Sequence, residues 1–124
     1  MPLQEQLTSA AARGEAAGVE ELLRAGAQVN GVNRFGRTAL QVMMMGSSPV
    51  ARLLLAHGAD PNVADGRTGA SPLHDAARAG FLDTVRLLVE AGADPEARDG
   101  ARSLPVDLAK RNGHAEVAAF LEAL

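Results

Sequence analysis

Glycines that recur at a near-constant interval are the feature that most constrains how this chain can fold. One set lies at intervals of 32, 34 and 33 residues: Gly14, Gly46, Gly80 and Gly113. A second set follows the first three at an offset of 12 residues: Gly26, Gly58 and Gly92. A fixed period near 33 residues predicts stacked structural repeats, each of which buries its apolar face against its neighbours. Such chains commonly act as surfaces that bind other proteins.

The third repeat shows the unit most clearly. Ser71 is a typical N-cap, Pro72 suits the first helical position, and Gly80 is typical of a helix C-terminus. A second helix is predicted to follow, with Val85 and Leu88 on its buried stripe. The predicted repeats lie at about 5–30, 31–62, 63–96 and 97–124. They make residues 1–124 a single all-α domain of helix–turn–helix repeats joined by extended loops.

The second repeat departs from this unit in its first helix. The interval from Thr38 to Gly46 is 8 residues, whereas that from Ser71 to Gly80 is 9. A short helix that loses a residue loses much of its one complete turn. The spacing therefore predicts that residues 39–45 form a single turn or an irregular segment.

The composition excludes several classes of protein. The net charge of −3 is too mild, and of the wrong sign, to indicate a nucleic-acid partner. The absence of Cys excludes a disulfide framework and a Cys-based zinc site. No signal peptide or transmembrane-length apolar run is recognisable. We expect a monomer of the cytoplasm and nucleus that binds neither membrane nor cofactor.

Enzyme motifs are also missing from the sequence. No glycine-rich phosphate loop opens a long helix after a strand. Ser103 and Asp107 have no His in a register suited to nucleophilic catalysis. His74 and Asp75 are neighbours in sequence, so they point to different faces of their helix and do not form a catalytic pair. The three His are dispersed along the chain, which makes a zinc site unfavourable. We therefore predict neither a catalytic nor a metal-binding residue.

Several strings identify a family. SPLHDAARAGFLDTVRLLVEAGADPE and RTALQVMMMGSSPVARLLLAHGADPN resemble ankyrin repeats over residues 5–124. More narrowly, GVNRFGRTALQVMMMG, HDAARAGFLDT and LPVDLAKRNGH resemble the four-repeat inhibitors of the cyclin-D-dependent kinases. That family contains the p16-type and p15-type tumour suppressors, and it shares the shortened helix in the second repeat.

The resemblance implies a function. It implies a cyclin-dependent kinase inhibitor that binds the kinase subunit beside its catalytic cleft, opposite the cyclin. Such an inhibitor distorts the arrangement of the two kinase lobes, which blocks cyclin binding and ATP use and restrains cell-cycle entry. The alternative from another class is an ankyrin adaptor or scaffold for an unrelated protein.

Asp75 is the leading candidate for a partner contact. Its register equivalents are Ser9, Val42 and Leu108, which are mostly apolar. An acid at a position that elsewhere packs must reach either solvent or a partner's cation. A solvated acid near a helix N-terminus is the simpler interpretation, and the spacing leaves both open. In the family the matching acid pairs with an Arg of the kinase, which favours the partner role.

Three further candidates flank Asp75. His74 stands at the His of the TPLH-type motif, where the side chain normally links neighbouring loops, so a structural role is favoured over catalysis or metal binding. Phe81 replaces polar residues of the other repeats and either anchors a partner or covers the loop. Asp83 either contacts a partner or is a dipole-favoured residue of the next helix.

The remaining candidates lie in the second repeat and the loop after it. Met43, Met44 and Met45 either fill an irregular gap or provide an adaptable contact surface. Asn62 and Asp65 either serve as turn residues only or touch the kinase, as the matching loop does in the family.

Overall fold

The chain is built from short helices and contains no strand. A computed structural model describes all 124 residues, and its helices are α1 (Leu3–Ala12), α2 (Ala16–Arg24), α3 (Ala39–Val42), α4 (Ser48–Ala56), α5 (Pro72–Ala79), α6 (Leu82–Glu90), α7 (Pro105–Arg111) and α8 (Ala115–Glu122). The predicted all-α class is confirmed. None of these helices is long and apolar enough to cross a membrane.

The helices are grouped into two compact units, and each holds two helix pairs. The first unit is Met1–Asp60 and contains α1 to α4. Here α1 packs against α2 and α3, and α2 packs against α4. Equivalent helices of consecutive repeats are therefore in contact, as the 33-residue period predicts.

The second unit, Pro61–Leu124, repeats this plan with α5 to α8. Here α5 packs against α6 and α7, while α8 packs against α7 and α6. The division between the units falls two residues before the predicted end of the second repeat. That all four repeats form one domain stays a prediction.

Small and branched aliphatic side chains form the core of each unit. Fully buried residues of the first unit include Leu7, Ala11, Val19, Leu40, Val50 and Leu54. Those of the second include Leu73, Ala76, Ala77, Val85, Leu88 and Ala109. The small Ala side chains let the short helices approach each other closely. Burial of each large aliphatic side chain contributes about 1.5–3 kcal/mol.

The shortened helix of the second repeat is confirmed. α3 contains one turn, Ala39–Val42, and the chain becomes extended at Met43. The start of α3 is well formed: the Thr38 side chain accepts from the Gln41 backbone N–H, and the Gln41 side chain accepts from the Thr38 N–H. The helix therefore begins normally and stops early.

An asparagine in each unit bonds to the backbone of the next repeat, and we call this contact the Asn staple. Asn30 donates from Nδ2 to the Gly58 carbonyl (3.0 Å) and accepts at Oδ1 from the Asp60 N–H (2.7 Å). Asn62 does the same with Gly92 and Asp94, at 3.0 and 2.8 Å. Because a side-chain amide can donate and accept at once, each Asn satisfies two backbone groups of the loop that it reaches.

Candidate functional site

Helix α5 positions the central candidates, and its sequence explains why it is well defined. The Ser71 hydroxyl caps the helix by accepting from the His74 N–H, and Pro72 occupies the first turn. Gly80 ends the helix in the left-handed conformation, at φ 83°. The predicted N-cap, first-turn proline and C-terminal glycine are all confirmed. The eight-residue helix holds His74 and Asp75 in fixed directions.

His74 links α5 to the turn that precedes α7. Its Nδ1 accepts from the Ser71 N–H (3.1 Å), so Nε2 carries the proton and donates to the Ser103 carbonyl (2.8 Å). The imidazole is neutral in this arrangement and has no exposed surface. A side chain without exposed surface cannot touch a partner, so the prediction of His74 as a direct contact is corrected. Its role in joining neighbouring loops is the one observed.

Asp75 lies on the other side of α5 and is only partly exposed, at 28% for its side chain. Oδ1 accepts from the Arg78 guanidinium at 2.7 Å. Burial raises the pKa of Asp75, and the Arg78 charge and hydrogen bond oppose this rise without cancelling it. The ionised carboxylate is thus incompletely compensated within the chain. An additional cation from a partner would favour its charged form.

The Asp65 charge acts on Asp75 although ten residues separate them. The Asp65 charge contributes to the raised pKa of Asp75, after the larger effect of burial. Oδ1 of Asp65 also accepts from the backbone N–H groups of Arg67 and Thr68, at 2.7 and 3.2 Å. Asp65 therefore shapes its turn and also adds negative potential at Asp75.

Phe81 and Asp83 lie at the start of α6. Phe81 is the residue before the helix and is 44% exposed. Asp83 is exposed in the first turn, where the helix dipole favours an acid. Phe81 leaves much of its ring uncovered, so burial does not account for an aromatic at this position.

The three methionines after α3 divide between core and surface. Met43 is buried, whereas Met44 is 49% exposed. The backbone N–H of Met44 donates to the Ala11 carbonyl (3.0 Å). The Met44 side chain also lies against Gly14, where an added Cβ would be 2.9 Å from its sulfur. Met43 is therefore a core residue, which corrects its prediction as a contact. Met44 keeps surface for a partner, and Met45 lies between these extremes.

Asn62 has a structural task in the second unit. Its amide forms the Asn staple to Gly92 and Asp94 of the next repeat, which neither of the two interpretations of Asn62 predicted. No group of three His, Cys, Asp or Glu lies close enough to hold a metal ion. The structure thus brings Asp65, Asp75, Phe81 and Asp83 to the surface of the second unit.

Two relevant residues were not predicted from the sequence. Arg78 follows Asp75 by three positions, and this helical spacing is a recognisable ion-pair signal. Phe35 is one of only three Phe and lies between Asn33 and Gly36, two typical turn residues. An aromatic inside a turn signature is a detectable sign of an exposed ring.

Comparisons with known proteins agree with this architecture. The family model for ankyrin repeats, in three copies, matches residues 7–99. Cyclin-dependent kinase 4 inhibitor B of Homo sapiens is 61% identical over 117 residues, covering 94% of this chain and 85% of that protein. Its counterpart in Rattus norvegicus is 56% identical, with 94% and 90% covered. Cyclin-dependent kinase inhibitor 2A of Homo sapiens is 54% identical over 122 residues, with 98% and 78% covered.

These identities extend through both units and all four predicted repeats. They confirm the ankyrin-repeat fold that the PLH and GAD strings indicated. Ankyrin-repeat inhibitors of this kind are non-enzymatic regulators. The chain therefore belongs to the ankyrin-repeat family of cyclin-dependent kinase inhibitors, the p15- and p16-type family.

Proposed function

We propose that this protein binds the catalytic subunit of a cyclin-D-dependent kinase directly, as a monomer, and holds it inactive. The observation that carries the proposal is the 61% identity to human cyclin-dependent kinase 4 inhibitor B across 94% of the chain. The relatives are named as inhibitors of cyclin-dependent kinases, which supports a kinase as the partner. Inhibition then requires binding only and no chemistry on this chain.

The proposed mechanism is allosteric. The inhibitor binds the kinase beside its catalytic cleft and prefers the inactive arrangement of the two lobes. A ligand shifts a conformational equilibrium only by its difference in affinity for the two states, and couplings of about 1–3 kcal/mol are typical. Because binding is reciprocal, a kinase held in this state binds cyclin and ATP more weakly.

Asp75 is the proposed anchor of the contact. One carboxylate oxygen is bonded to Arg78, and Arg78 itself is about half exposed. Burial in the free protein has already removed much of the water around the carboxylate, so less desolvation remains to be met on binding. Phe81, Asp83 and the exposed Met44 are proposed as additional contacts, and Asp65 shapes the adjoining turn.

The experiment is a titration of a monomeric cyclin-D-dependent kinase with wild type and Asp75→Asn. Loss of a charge paired with an Arg across a partly desolvated interface weakens binding by ~2–5 kcal/mol. Glu90→Gln is the matched control, because Glu90 is an exposed acid on α6 that forms no salt bridge. We expect the control to bind like wild type and both variants to keep wild-type helicity.

The outcomes separate two failures. Equal affinity of Asp75→Asn and wild type would remove Asp75 as the anchor and leave kinase binding intact. A wild-type protein that does not bind the kinase would refute the function and favour an adaptor for an unrelated protein.

We also propose that the protein acts in the cytoplasm and nucleus without binding membrane or nucleic acid. The net charge of −3 supports this, since nucleic acid and anionic lipid both attract basic surfaces. Retention of the purified protein on a heparin column at physiological salt would contradict it.

A further inference from the structure

Two of the four asparagines in this chain are followed directly by glycine. The pairs are Asn30–Gly31 and Asn112–Gly113. Asparagine is a thermolabile residue, because the backbone nitrogen of the next residue can attack its side-chain amide. Glycine has no Cβ to obstruct this approach, so an Asn–Gly pair is especially reactive. From the sequence alone, the two pairs have the same reactivity.

The reaction is a deamidation that consumes only water. The backbone nitrogen of Gly31 bonds to Cγ of Asn30, the Cγ–Nδ2 bond breaks, and Nδ2 leaves as ammonia with the proton of the Gly31 amide. Water then opens the resulting succinimide. Cleavage at Cγ gives Asp, and cleavage at the main-chain carbonyl gives isoaspartate, whose backbone runs through the side chain. Asn30 is exposed, so water reaches it.

The folded structure holds both reacting groups of the first pair in other bonds. The Asn30 carboxamide forms the Asn staple, with Nδ2 on the Gly58 carbonyl and Oδ1 on the Asp60 N–H. The Gly31 N–H donates to the Gln28 carbonyl at 3.1 Å. The carboxamide must leave the staple before its carbon can turn to the Gly31 nitrogen. Reaction at Asn30 therefore requires local opening of the joint between the first two repeats.

The packing of α1 explains why glycine follows Asn30. A Cβ added at Gly31 would lie 2.5 Å from Nε2 of Gln4. Gln4 is fixed in place, because it donates to the Gln28 carbonyl (2.9 Å) and accepts from the Gln28 N–H (2.8 Å). The staple thus requires Asn30 and the Gln4 contact requires Gly31. Together these two structural requirements create the reactive pair.

The second pair lies at a helix end and is held differently. Asn112 is the exposed C-cap of α7, and its Nδ2 donates to the Leu108 carbonyl (2.8 Å) within the same helix. The Gly113 N–H is also bonded, to the Lys110 carbonyl, so the two pairs differ in what holds the carboxamide. An exposed helix end opens at low cost and without separating repeats. Asn112 therefore remains reactive in the folded protein.

Deamidation at Asn30 would reverse one half of the staple. Nδ2 donates to the Gly58 carbonyl at 3.0 Å, whereas a carboxylate has only acceptor oxygens. Two acceptors at this distance repel each other, and the Gly58 carbonyl loses its bond from residue 30. The first repeat would then be attached less firmly to the second.

We propose that Asn30 is a site of spontaneous deamidation, which the Asn staple suppresses in the folded protein. Opening of the first unit exposes the Asn30–Gly31 pair to reaction, and the product closes the joint less well. Chemical modification of an opened state makes the opening irreversible. The reaction involves no partner, so it is independent of the proposed kinase contact.

The experiment incubates the purified full chain in mildly alkaline buffer, with and without urea, and follows each Asn by peptide mapping with mass spectrometry. In urea we expect Asn30 and Asn112 to convert at similar rates. Asn62 should convert far more slowly, because the β-branched Val63 obstructs the attack. In the folded protein we expect Asn30 to convert about tenfold or more slowly than Asn112, its control of identical chemistry.

Two results would contradict the proposal. Similar rates at Asn30 and Asn112 in the folded protein would overturn suppression by the staple. Absence of conversion at Asn30 in urea, while Asn112 converts, would overturn the site itself.

A second measurement tests the weakened joint. Asn30→Asp has the side chain of the product, and we expect it to unfold at a lower urea concentration than wild type. Gln28→Glu is the matched control, because it adds the same charge at a nearby exposed side chain and leaves the staple intact. We expect this control to unfold like wild type. Equal midpoints for Asn30→Asp and Gln28→Glu would overturn the weakened joint.

Discussion

The first helices of the second and third repeats start alike and end differently. Both begin with a capping box, from Thr38 and Gln41 in α3 and from Ser71 and His74 in α5. Yet α3 contains four residues and α5 contains eight. The start signal alone therefore does not set the length of a helix.

The difference comes from the other end of each helix. One residue of an α-helix covers about 100° of rotation, so deletion of one residue turns every later side chain away from its intended neighbour. α5 reaches Gly80, which ends it in the left-handed conformation. In α3 the chain instead leaves the helix at Met43, which keeps that side chain buried. The burial of the Met43 side chain is therefore favoured over the continuation of α3 by another turn.

The largest expected effect tests whether the second unit is the better packed of the two. Leu88→Ala empties a fully buried site and should lower the free energy of unfolding by ~2–5 kcal/mol. Leu22 is partly exposed, so Leu22→Ala should cost less than about 2 kcal/mol. Urea denaturation of both variants measures the difference. A larger loss from Leu22→Ala would show that the first repeat is a structural anchor.

The next effect compares the two capping boxes directly. His74→Ala leaves the Ser71 N–H and the Ser103 carbonyl without partners in a buried site, which should cost about 2–3 kcal/mol. Gln41→Ala should cost about 1 kcal/mol, because Gln41 is partly exposed and its side chain bonds one backbone group of the box, the Thr38 N–H, where His74 bonds two. Thermal unfolding of the two variants side by side checks this order. Equal losses would mean that burial of the His74 imidazole adds nothing.

A smaller effect concerns local opening of α3 in the wild-type protein. We expect amides of residues 39–45 to exchange about tenfold or more faster than those of residues 71–78, because a single turn opens without breaking a longer helix. Hydrogen exchange followed by NMR measures both segments in one sample. Equal protection would indicate that α3 opens only when its whole unit unfolds.

The smallest effect is the pH dependence contributed by Asp75. The pKa of Asp75 in the folded protein is above 3.8, so the folded state binds this proton more tightly than the unfolded chain. Its contribution to stability is greatest below pH 3.8 and is lost as pH rises through the folded-state pKa. Asp75→Asn should therefore be slightly more stable than wild type at neutral pH and equal to it below pH 3.8. Urea melts at both pH values test this, and a less stable variant at neutral pH would mean that the Arg78 pair outweighs burial.

The sequence predicted the repeats well because each boundary has a local signal. Ser71, Pro72 and Gly80 mark their helix through conformational preferences that act within a few residues. The single turn of α3 was predicted for the same reason, from a spacing in the sequence. The spacing did not specify the residue at which α3 ends, and the chain leaves the helix at Met43, whose side chain is buried.

The site was less predictable because exposure is a tertiary property. His74 and Met43 were named as contacts, yet each is buried by segments that are distant in sequence or by an irregular backbone. Phe35 was overlooked although its turn residues were visible, because the sequence does not say whether a ring in a turn folds back onto the core. Periodicity identifies helix faces, and it carries no such information for loops.

The Asn staple has a consequence for insertions and deletions. The staple bonds of Asn30 and Asn62 reach main-chain atoms of the following repeat, so these bonds place no requirement on the side chains there. The Asn-to-carbonyl interval is 28 residues for Asn30 and 30 for Asn62. The same bonds thus form across segments of different length. Mutational drift can shorten a helix, as in α3, while the repeat keeps its attachment to the next one.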